Sequence, residues 1–160
     1  MSLLVLLRFV HLLAVVVFLG DIAVTAIWRL LADKTREPRV IVYALRLVLI
    51  TDKYLLMPSS LVLATTGFLI AHLRNIPVWT IPAYAVGQVL FILSGVLWNL
   101  VLRPIQGRQL ALAESLEASG ANFEDYLLLT KKWFRWGILT MACAFGSLVL
   151  MVLAAAGGSR

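Results

Sequence analysis

Apolar residues run almost unbroken through four stretches of the chain, about Leu3 to Leu30, Tyr54 to Leu73, Val78 to Leu102 and Trp133 to Ala156. Each supplies the roughly 20 residues that a helix needs to cross about 30 Å of hydrocarbon. Away from their ends, only Arg8 and Asp21 carry charge within them. The pattern predicts an all-α integral membrane four-helix bundle, with residues 1–160 forming a single membrane domain. Composition agrees, since 62% of the 160 residues are hydrophobic and 14% charged. A soluble domain is roughly 45–50% apolar and about 25% charged, so a water-soluble globule is excluded. The first stretch has no basic segment ahead of it and no small-residue cleavage site behind it, and it is read as a retained helix.

The charges that remain give the expected orientation. Arg29, Lys34, Arg36, Arg39, Arg46 and Lys53 lie between helices 1 and 2, and Arg103, Arg108, Lys131, Lys132 and Arg135 between helices 3 and 4 or on their flanks. These are eleven of the fourteen basic residues. Basic residues accumulate on the cytoplasmic side, so both termini are expected outside the cytoplasm of a bacterial inner membrane. The net charge of +6 thus reads as topology, with no nucleic acid implied. Two connecting segments are predicted to be helical extensions. Val40 to Ile50 is apolar, with Arg39, Arg46 and Lys53 seven residues apart on one face; it is either a cytoplasmic extension of helix 2 or an amphipathic helix on the inner leaflet, with its basic face against anionic headgroups or solvent in both cases. Pro104 to Ser119 reads as a short helix stopped by Gly120, and Asn122 with Asp125 as the cap that starts the helix entering Trp133. The tryptophans are read mainly as interfacial anchors.

Polar side chains inside lipid need partners, so they are expected to face the bundle interior. At 100° per residue, Arg8, His11, Asp21 and Thr25 share one face of helix 1. Helix 2 offers Asp52, Ser59 and Thr66, helix 3 Gln88 and Asn99, and helix 4 a small-residue stripe of Gly137, Thr140, Ala144 and Ser147. Depth sorts these into two layers. His11, Gln88, Thr66 and Ser147 form an outer-half layer, with Arg8 one turn from His11. Asp21, Thr25, Asp52, Ser59 and Asn99 form a structural cluster nearer the cytoplasm, with Trp133 at the entry to helix 4. There Lys53 or Arg103 is placed to pair with the Asp21 carboxylate, and Pro58 to bend helix 2.

His11 is the most informative residue. A neutral imidazole in a membrane helix ligates haem or another metal, relays protons, or hydrogen-bonds across the bundle to Gln88. Arg8 would hold a propionate or another anionic group, or snorkel to the surface. His72 falls off the inner stripe and is read as interfacial. Cys143 is the only cysteine, which removes disulfides, covalent CxxCH haem attachment and thiolate metal clusters. Phosphate-binding glycine loops and paired catalytic carboxylates are absent too.

Three segments carry a resemblance: "LRFVHLLAVVVFLGDIAVTAIW", "TDKYLLMPSSLVLATTGFLIA" and "YLLLTKKWFRWGILTMACAF". The chain resembles a bacterial family of predicted integral membrane proteins of unassigned function. The resemblance implies His11, Gly20, Asp52, Pro58, Gly67, Tyr126, Trp133 and Gly137 as signature positions and supplies no reaction. A more distant likeness is to HemJ-type protoporphyrinogen oxidases and CopD-type copper proteins, which would imply haem b at His11 or copper handling. Helix 3 here has neither histidine nor lysine, which argues against the oxidase activity. The leading expectation is a small ligand or cofactor, haem b first, bound around His11. A non-catalytic subunit or assembly partner of a larger membrane complex is the alternative, and a carrier of protons, metal ions or small solutes the third.

Overall fold

A computed structural model describes residues 2–119 and 122–157. Four helices carry almost all of them: α1 (Leu3–Thr35), α2 (Pro38–Leu73), α3 (Pro82–Ala118) and α4 (Phe123–Ala156). Each has 33 to 37 residues, or about 50–55 Å at the standard rise, well beyond the hydrocarbon thickness. The two connecting segments are therefore continuous with the spans. Val40 to Ile50 is the first part of α2, and Pro104 to Ala118 the last part of α3. Asn122 caps α4 by accepting from the Glu124 N–H at 3.1 Å. Gly120 and Arg160 lie outside the described residues. The half of the bundle holding Leu3 and Ala156 is called upper below, and the half holding the α1–α2 and α3–α4 connections lower.

Local chemistry explains the ends. Ser2 caps α1, and Pro38 and Pro82 open α2 and α3, where their missing N–H costs nothing. The α1–α2 turn is two residues long, with Arg36 left-handed at φ 55°. α2 ends at Asn75, φ 52°, where Ile76 N–H bonds Ala71 O and Asn75 N–H bonds His72 O. That double closure is the Schellman pattern, and asparagine tolerates its left-handed position.

Both long central helices widen into one π turn, at Asp52–Leu56 in α2 and Trp98–Leu102 in α3. In each, a proline follows the first π residue by six positions, Pro58 and Pro104. A proline cannot donate to the carbonyl four residues back and crowds it. The N–H just ahead of each proline instead reaches five residues back, Met57 to Asp52 and Arg103 to Trp98. Since α2 and α3 run in opposite directions, the two turns fall at the same level. Exposed Lys53, Arg103 and Arg135 stand near it. From Lys53 to Arg74 is about 31 Å of helix, one bilayer core.

Above that level the usual inside-out rule reverses. Phe9, Leu12, Leu13, Val16, Leu61 and Val152 are exposed, as lipid-facing side chains should be, while Thr66, Thr140 and Ser147 are buried. In the upper half α1 packs on α2 and α3 on α4, while α1 and α4 scarcely touch. The two pairs meet at mid-height, where Phe18 and Phe91 lie 5.9 Å apart beside Ala14, Leu63 and Ala144. The lower half closes tightly. Ile41, Val42 and Leu45 of α2 bury against Ala113 and Leu116 of α3 and Tyr126 of α4. The apolar face of the Val40 to Ile50 segment, at Ile41, Val42 and Leu45, is thus covered by protein, as a continuation of helix 2 and not as a separate helix. Arg39 and Arg46 pair with Glu117 at 3.4 Å and Glu114 at 2.8 Å.

Candidate functional site

The upper separation of the helix pairs leaves a cavity of about 590 Å³, within the size range of small-molecule sites. Arg8, His11, Gln88 and Ser147 all line it, together with Arg74 and Tyr84. Thr66 stands behind His11, its Oγ1 2.8 Å from the imidazole Nδ1. The partner of His11 is therefore Thr66, on the neighbouring helix, and the expected bond to Gln88 is not formed. Gly67 leaves the ring its room. A Cβ there would meet His11 Cε1 at 3.4 Å, so a larger side chain would press on the imidazole.

The tautomer is inferred from the hydrogen-bond distances. The Thr66 hydroxyl has one proton and donates it to the Val62 carbonyl, so toward His11 it acts as acceptor. Nδ1 then carries the imidazole proton, and Nε2 keeps its lone pair. Among the described residues the side-chain hydrogen bond of the ring is made at Nδ1, and the ring also lies by the Leu63 backbone. A ring N–H anchored by a neighbour, with the other nitrogen free, is how proteins prepare a histidine ligand. Among the described residues no group of three His, Cys, Asp or Glu side chains surrounds it. Of these ligand types a bare metal ion would find His11 alone in the cavity wall, and a group bringing its own donors needs only that one. His72 is exposed and not in the cavity wall; the Met151 thioether, from α4, is in the wall.

The lower polar layer is larger than the sequence suggested and differently wired. Asp52 accepts from Gln106 Nε2 at 3.0 Å, and the Trp98 indole approaches the same carboxylate. Arg29, with 0% exposure, donates to Gln109 Oε1 at 3.2 Å, and Gln109 passes a bond to Thr130 at 3.1 Å. The guanidinium lies 4.4 Å from the Trp133 ring centroid and 4.0 Å from Asp33, which also accepts from the Tyr126 hydroxyl. This network ties all four helices together below the cavities.

Several expected members sit elsewhere or act locally. Asn99 is exposed and accepts from Arg103 at 3.5 Å, so it is outside the cluster. Lys53 lies 5.2 Å from the centroid of the Tyr54 ring, and neither it nor Arg103 reaches Asp21, which faces Thr51 and leaves Oδ2 without a partner. Thr25 and Ser59 are buried, but their hydroxyls bond their own helices, at Asp21 O and Leu55 O. Trp133, by contrast, is in the cluster as expected, buried beside Arg29. Arg29, Asp33, Gln106, Gln109, Tyr126 and Thr130 were not placed in this layer from sequence. A signal existed: Asp21, Thr25, Arg29 and Asp33 recur every four residues along one face of α1.

A family model described as a predicted integral membrane protein, DUF2269, matches residues 5–154. The chain belongs to this family. No curated protein and no solved structure matches it. The DUF2269 match extends over all four helices and both polar layers. Of the positions the family resemblance singled out, His11 and Gly67 touch each other in the upper layer. Asp52 and Pro58 bracket the α2 π turn, and Tyr126 and Trp133 belong to the Arg29 network.

Proposed function

We propose that this DUF2269 protein holds a small ligand within the membrane, in the upper cavity, with His11 Nε2 as its point of attachment. The observation that carries this reading is the pairing of an anchored Nδ1 with an Nε2 lone pair on the wall of a cavity of about 590 Å³. Haem b is the first candidate. Its iron needs one imidazole, its ring suits an apolar cavity with Phe68 and Phe91 in the wall, and its propionates suit Arg8 and Arg74. Gln88, Ser147 and Tyr84 would orient the ligand's polar edge.

The features that favoured a subunit role are used within the chain. Thr140, Ala144 and Ser147 of the small-residue stripe are buried against the chain's own helices, and the apolar face of Val40 to Ile50 is covered by α3 and α4. We infer further that the lower end faces the cytoplasm of a bacterial inner membrane, with both termini outside. Exposed Lys53, Arg103, Arg108, Lys131, Lys132 and Arg135 crowd that end and suit anionic headgroups.

The absorption spectrum of the full chain purified in detergent tests the ligand reading. A Soret band present in the wild type and absent in His11→Ala supports haem b at this site. A colourless protein that takes up no haem from solution overturns the haem assignment.

A further inference from the structure

A second cavity, of about 390 Å³, lies below the Phe18–Phe91 contact. Phe18 and Ala144 line both cavities and so form the partition between them. The lower wall is mostly apolar, but it ends on two buried polar groups that lack partners. Gln106, 3% exposed, commits Nε2 to Asp52 and leaves Oε1 unpaired. Trp133, 7% exposed, leaves its indole Nε1–H unpaired, while Arg29 covers its ring face. Buried polar atoms are seldom left so. Here one is an acceptor and the other a donor, and both residues line the same space.

We propose that this lower cavity is a second binding site, for a lipid-soluble molecule headed by a hydroxyl group. A hydroxyl supplies both a donor, for Gln106 Oε1, and an acceptor, for Trp133 Nε1–H. A charged head fits poorly on either sign. The Asp52 carboxylate on the wall repels an anion, and a mostly apolar wall penalises a buried charge of either sign. Room for a ring or chain lies beside Gly95 and Gly137, which line the cavity and where an added Cβ meets nothing within 4 Å. Leu30, Met57 and Ile138 belong both to the cavity rim and to the exposed lipid-facing surface, so the ligand enters sideways from the bilayer. The site does not depend on the His11 reading.

The test uses native mass spectrometry of the full chain released from detergent with 4-dodecylphenol or its methyl ether, 4-dodecylanisole. The wild type should retain one equivalent of the phenol under activation that strips the ether. Gly137→Leu and Gly95→Leu each fill open space, and each should cut phenol retention at least tenfold while unfolding no earlier than wild type. Trp133→Phe removes a donor that both oxygens can use, so retention of both should fall while the preference for phenol, which rests on donation to Gln106 Oε1, persists. His11→Ala should change none of this. Equal retention of phenol and ether overturns the proposal, as does retention that survives in whichever glycine variants fold. Loss in His11→Ala places the adduct in the upper cavity and overturns it too.

Discussion

Gln106 Nε2 donates to Asp52 Oδ2 across 3.0 Å, joining α2 at the first residue of its π turn to α3 just below its own. The bond holds the two central helices at the level where each is locally rewound. Replacing Gln106 with Leu keeps much of the volume but strands a buried carboxylate. The expected loss is about 1–3 kcal/mol, read as earlier unfolding in detergent. Asp52→Asn, which keeps a polar partner for Gln106, should cost less. Equal stability of Gln106→Leu and wild type would show that the bond does not support the lower half.

Arg29 has no exposure, and its removal leaves Gln109 Oε1 without its donor and Asp33 without the positive charge 4.0 Å away. Breaking one side of a buried ion pair typically costs about 3–5 kcal/mol. Arg29→Ala is therefore expected to unfold far earlier than wild type or to fail to accumulate. Arg29→Lys should recover only part, because an ammonium cannot stack on Trp133 and reach Gln109 in one plane. Full recovery by lysine would mean that charge alone matters there.

Orientation is checked with single cysteines in a Cys143→Ala background. Thr80 is exposed in the α2–α3 connection and avoids Asn75, whose φ of 52° disfavours a new side chain. Thr80→Cys should react with an impermeant maleimide added to intact cells, and Arg108→Cys only after lysis. The reverse pattern would invert the bundle in the membrane.

Thr66 holds the imidazole proton on Nδ1 through its hydroxyl. Thr66→Val removes that acceptor at nearly constant volume, whereas Thr66→Ser keeps it. Loss of such a supporting partner typically weakens ligation about 10–100-fold. Haem b affinity is expected to fall in that range for valine and to stay within a few-fold for serine. Identical affinities in all three proteins would detach Thr66 from the site.

The four crossings were legible because length and apolarity suffice to state them. The inward face of α1 was legible because polar groups in lipid have few alternatives. The fate of Val40 to Ile50 was not. An amphipathic helix is equally well served by headgroups or by another helix, and only the contact of Ile41 and Leu45 with Ala113 and Tyr126 decides it. Asn99 was misplaced because it follows Trp98 by one residue, 100° round the helix, and Trp98 is the one that turns inward. Gln109, eleven residues after Trp98, falls within about 20° of it on a straight helix. Its position in the lower network could thus have been read from the same wheel. Arg29 was counted with the basic residues that report orientation, although its spacing of four from Thr25 and Asp33 places it on the inward face of α1. Its partners come from α3 and α4, some 80 to 100 positions further along the chain.

The account rests most heavily on His11 as the ligand's point of attachment. Equilibrium titration of haem b into the detergent-solubilised full chain, followed at the Soret band, measures this directly. The wild type should bind one equivalent saturably, and His11→Ala should lose the shifted Soret band while unfolding at a temperature close to wild type. Absence of saturable binding by the wild type, or an unchanged spectrum and affinity in His11→Ala, would contradict it.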